Sequence, residues 1–190
     1  MRIFIVVLVL IFSFQSWTKA DDISDFEIEG MSIGDSLLEY FSEDKIKNSI
    51  VKYSYKHKDG EFLKIDILNH PFKFYDVLSA HVKKNDNKYI VYELSGIMDY
   101  EKNIEECYRN KKKIVKELKE IFPKSKEYDS GRQKHPQDVT GKSTYDRLDL
   151  ELKSGANVTI ICYDWSKEMG FIDHLSVGIE SKQFSEWLNN

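Results

Sequence analysis

No catalytic signature runs through this sequence. It has no Gly-x-Ser-x-Gly, no glycine-rich phosphate loop, no His-Glu-x-x-His and no calcium-loop spacing. Charge of one sign never accumulates into a long block. Lys111-Lys112-Lys113 is the densest basic run, and it lies on a helix whose other side is apolar. A nucleic-acid partner would call for a basic patch and a basic balance, and neither is present. Cysteine is scarce, with only Cys107 and Cys162. Two cysteines cannot build a structural zinc site alone, no His stands at ligand spacing beside either, and they do not form the Cys-x-x-Cys of a redox pair. Metal ligands and cofactor motifs are therefore not expected, and the absences lean against an enzyme.

Long apolar runs are also lacking, apart from one at the start. Arg2 precedes an apolar stretch from Ile3 to Phe14, and Thr18-Lys19-Ala20 follows with small or tolerated residues where a signal peptidase reads. Twelve apolar residues fall short of the roughly 20 a membrane span needs, and no Cys follows to carry a lipid. The pattern predicts a cleaved signal peptide over 1–20, no stable membrane anchor, and a periplasmic or secreted protein. Residues 21–190 suit a single domain. The 28 basic residues less Arg2 and Lys19 leave 26 against 32 acidic ones, a net charge near −6. In an oxidising compartment Cys107 and Cys162 are expected to form a disulfide, closing a loop of about 56 residues.

Residues 21–29 read as a loose acidic lead-in. Ser32 and Asp35 have the form of a capping box, and Leu37, Leu38 and Phe41 continue it as a first helix over 33–41, with a weak continuation through Lys45-Ile46. Alternation from Val51 to His57, the Asp59-Gly60 turn and the return through Leu63, Ile65 and Ile67 predict a hairpin. A second hairpin spans 75–94 and turns at Asn85-Asp86-Asn87. The clearest helix covers 102–122, stopped by Pro123, with Cys107 on its apolar face. From 124 to 144 the chain is polar and aperiodic, which predicts a long loop suited to binding. Strands follow around Leu148–Leu152, Val158–Cys162 and Leu175–Ile179, then a short closing helix with Phe184, Trp187 and Leu188. Cys162 shares the inward face of its strand. The expected architecture is α+β: an antiparallel sheet of about seven strands, helices packed on one face, and two helix-then-strands units.

One constellation carries possible chemistry. Tyr163-Asp164-Trp165 ends a strand and Asp173-His174 opens the next. Across a hairpin, two carboxylates beside aromatic rings suit a cation, a sugar or a basic ligand, or an acid/base pair. Asp residues also commonly shape turns. No residue is singled out as catalytic. His57 and His81 fall within strands, where a structural role is the default.

The run from Asp25 to Leu38, together with Tyr163-Asp164-Trp165 and Asp173-His174-Leu175, resembles a group of small, signal-peptide-bearing proteins of marine alphaproteobacteria. That resemblance implies export and no particular activity. The Gly30-Met31-Ser32 opening is also loosely similar to small outer-membrane-assembly lipoproteins, but the lipid-bearing Cys is missing. The functional expectation is a non-catalytic binding or envelope-accessory protein, its partner an envelope protein or a small ligand. The alternative is a small hydrolase or ligand site on Asp164, Asp173 and His174.

Overall fold

Period-two alternation becomes one antiparallel sheet. The computed structural model describes residues 23, 26–51, 60–101 and 103–189. The leader expected at 1–20 and most of the strand expected from Val51, with Asp59 of its turn, lie outside them. Strands β1 (Phe62–Ile67), β2 (Val77–Lys83), β3 (Val91–Asp99), β4 (Lys126–Lys134), β5 (Thr144–Glu151), β6 (Asn157–Asp164) and β7 (His174–Glu180) line up as β1-β2-β3-β7-β6-β5-β4. Every neighbouring pair is antiparallel. The α+β class holds, with two helix-then-strands units meeting at β3 and β7.

One face of the sheet forms the core. Ile65, Ala80, Leu94, Ile179, Val158 and Leu150 stand in register across it and are all buried. Helix α1 (Glu43–Asn48) and helix α2 (Ile104–Ile121) cover this face. Cys107 of α2 is bonded to Cys162 of β6, with Cα atoms 6.1 Å apart. Closing so long a loop constrains the unfolded chain by on the order of 4 kcal/mol in the chain-entropy picture. Lys111, within the basic run, turns inward at 5% exposure, and its Nζ lies 2.7 Å from Asp146 Oδ1. Asp146 is in register with Cys162, so ion pair and disulfide join α2 to the sheet side by side.

Four expectations need correction. The first half of the loop expected over 124–144 is strand β4. As an edge strand it is exposed along nearly its whole length, so burial imposes no alternation on its sequence. The remaining turn is organised by Asp138, whose carboxylate accepts from Thr140 N and Ser143 N (2.8 Å each) and from both hydroxyls (2.6 Å each). Those bonds hold it well below the usual carboxylate range.

The helix expected over 33–41 shrinks to a single 3₁₀ turn, Leu37–Glu39, and α1 begins only after Ser42. Gly34 (φ 95°) departs from helical geometry, and Gly34 N and Asp35 O bond to Val91 instead. Half of the capping box survives, Ser32 N donating to Asp35 at 2.9 Å.

The lead-in is also tighter than expected where it is described. Ile28 and Met31 are buried and exchange backbone hydrogen bonds, and the Glu29 carboxylate accepts from three successive amides, Lys73 to Tyr75. Finally, the helices do not all share one face. Helix α3 (Lys182–Asn189), capped by Ser181, crosses to the opposite side, where Phe184 and Trp187 pack on Phe62 of β1.

Candidate functional site

The second face of the sheet is not a plain solvent face. Helix α3 roofs it over β1 to β3, and the hairpin turn after β6 walls its far end. A trough of about 390 Å³ is left between them. It continues past Arg147 and Glu180 into a shallower cavity of about 740 Å³ beside α3.

Register orders the floor of the trough into rows. Beneath α3, His81, Glu93 and Glu180 stand opposite one another on β2, β3 and β7. The next row is Ser79, Ser95, Gly178 and Thr159. Then come Ile97, Ser176, Ile161 and Arg147, and finally His174 and Tyr163 with Trp165 just beyond. Polarity therefore grades along the trough from buried ionisable groups through hydroxyls to aliphatic and aromatic side chains.

At the deep end His81 Nδ1 lies 2.5 Å from Glu93 Oε2, and Ser95 donates its hydroxyl to the other oxygen of Glu93. The Phe184 ring packs over His81, with centroids 4.6 Å apart. Glu180 faces Glu93 directly across the β3–β7 pair. Burial, and secondarily the Glu93 charge, push its carboxyl up to about 7. Arg147 donates through Nε to both oxygens of Asp149 (2.9 and 2.7 Å), leaving its Nη groups without a hydrogen-bond partner among the described residues. Ser79 and Thr159, residues more than nine-tenths buried overall, likewise make no side-chain hydrogen bond among the described residues, their oxygens opening onto the trough. Gly178 makes room for this row, since a Cβ there would lie 2.5 Å from Ser95 Oγ and 2.9 Å from Thr159 Oγ1.

At the aromatic end Tyr163 and Trp165 stack nearly parallel (7°, 5.7 Å). His174 packs on Tyr163 at 4.7 Å, and His135 and Phe171 pack on Trp165 at 4.3 and 4.8 Å. Burial pushes the Tyr163 hydroxyl up to about 12 and the His174 imidazole down, keeping both neutral near pH 7. The indole N–H of Trp165 is buried without an acceptor among the described residues.

The structure thus brings Tyr163, Trp165 and His174 together, turns Asp164 away from them and keeps Asp173 beside Trp165 as part of the turn. Asp164 follows Tyr163 on β6 and so points to the opposite, helix-bearing face, where it lies 3.5 Å from the Tyr108 hydroxyl. Asp173 accepts from Trp165 N at 2.7 Å and shapes the local turn. Of the trough residues, His81 reads in the sequence as a structural histidine, and Glu93, Ser95, Arg147, Thr159 and Glu180 carry no signal there. Their polar alternation is what a solvated face also produces. Among the described residues no cluster of His, Cys, Asp and Glu could hold a metal ion, and no helix is long and apolar enough to cross a membrane. The bonded cysteine pair fits a non-cytoplasmic compartment.

Fold and site together define an α+β protein with a graded trough on the face of its sheet opposite α1 and α2. Comparison with known protein families, with curated proteins and with solved structures finds no match to this chain.

Proposed function

We propose that this protein is an exported, non-catalytic binding protein of the periplasm whose trough holds a small ligand. The observation that carries this reading is a buried polar floor with unpartnered hydroxyls, beside a wall of stacked rings. A concave site with a few convergent polar groups is the usual form of a ligand site. Export is supported by the leader pattern and the disulfide. Ser95 donates to Glu93 rather than to His81.

A thermal-shift screen of small metabolites against the purified protein and its Trp165→Ala variant tests this. A ligand at about 100 times its Kd adds about 2.7 kcal/mol, or about 5–10 °C in Tm at this chain length. Stabilising compounds are expected to lose most of that shift in Trp165→Ala. Equal shifts in both proteins would place binding elsewhere and overturn the proposal.

A further inference from the structure

Resting on that reading, we infer that the trough takes an elongated ligand with a cationic amine at one end and a flat apolar group at the other. The amine sits at Glu180 beside Glu93, and the flat group lies against Trp165 and Tyr163. Three observations converge on this ligand.

The first is the opposition of Glu93 and Glu180. Like charges directly opposite across a strand pair destabilise a sheet, and both residues are more than nine-tenths buried. Glu93 already engages His81 and Ser95, and the neighbouring Arg147 gives its Nε to Asp149. No Lys or Arg nitrogen lies within ion-pair distance of Glu180 among the described residues. Arg147 acts on Glu180 only from beyond ion-pair distance, and a bound ammonium supplies the direct cationic partner Glu180 lacks among the described residues.

The second is length. Glu180 and His174 are six residues apart on β7, about 20 Å of strand. Ser176 and Gly178 lie between them on the same face and keep the floor low. A compact ligand cannot touch both ends.

The third observation is independent of charge. The hydroxyls of Ser79 and Thr159, unpartnered among the described residues and opening onto the trough midway, offer hydrogen bonds to a ligand or its bound water. Beyond them Ile97 and Ile161 lead to the stacked rings, whose faces attract flat groups.

The test is isothermal titration of the purified protein with ω-phenylalkylamines of about four to ten methylenes, alongside alcohols and carboxylates of the same lengths. The longer amines are expected to bind best, roughly tenfold or more above the matching alcohols, as for a charge paired in a buried site. Glu180→Gln should lower amine affinity to the alcohol level and leave the alcohols unchanged, while Trp165→Ala should weaken amines and alcohols alike. Thermal melts confirm that each variant is folded.

Alcohols or carboxylates that match or exceed the amines would overturn the amine assignment. So would an amine preference that survives Glu180→Gln. In either case the trough reading stands, provided Trp165→Ala still weakens binding. Absence of binding by the whole series, or binding indifferent to Trp165→Ala, would overturn the inference and the trough reading together.

Discussion

Leu118→Asp is expected to abolish cooperative folding. Leu118 is buried on the inner face of α2, where the helix lies on the sheet. Truncating a buried Leu alone costs about 2–5 kcal/mol. An Asp adds a carboxylate with no partner in an apolar site, a further penalty of several kcal/mol unless the group takes up a proton. Domains of this size are stable by only about 5–15 kcal/mol. The disulfide at Cys107 tethers the other end of α2 but cannot solvate the new charge. Near-UV circular dichroism should be lost and the melt should become broad, whereas Leu118→Met should stay within about 1.5 kcal/mol of the wild type. A sharp, wild-type-like melt for Leu118→Asp would mean that α2 does not pack where it is described.

Glu180→Gln is expected to do the reverse and stabilise the free protein, in a pH-dependent way. The Glu180 carboxyl is raised from an ordinary value of 4.5 to about 7. Between those values the folded state retains a proton that the unfolded state has lost, so stability falls as pH rises through this window. Below about pH 4 both states are protonated and the shift costs nothing; above about pH 7 the cost is complete. A displacement of this size corresponds to about 3 kcal/mol. Urea denaturation at pH 4 and pH 8 should show the advantage of Glu180→Gln growing by up to that amount between the two. An advantage that does not change with pH would mean that Glu180 is not held in a desolvated, like-charged setting.

Legibility in the sequence followed burial. Helix α2 was readable because one stripe meets the core, and Cys107 and Cys162 each fall on an inward period, so their pairing was readable too. Strands β5 to β7 stood out for the same reason. Strand β4 did not, because an edge strand exposed on both faces leaves no hydrophobic period. The first helix was misplaced because backbone bonds from Gly34 and Asp35 to Val91, set by tertiary contact, displaced local capping. Lys111 reads as one of three exposed lysines, and only its reach to Asp146 explains its burial.

The site was half legible. Tyr163, Trp165 and His174 were found by their density beside a turn, but period two sends Asp164 to the other face. The rest of the trough depends on register between strands distant in sequence, such as Glu93 with Glu180, and on α3 folding over the polar face.

Backbone amide mapping by NMR tests the central claim most directly, using the compound that most stabilises the protein in the thermal screen. The largest shift changes are expected at Ile161, Ser176, Gly178 and Glu180 and at the Trp165 indole, tracing the trough from end to end. Changes gathered along the exposed face of α2 or the Lys126–Lys134 edge, with the trough residues unmoved, would contradict it.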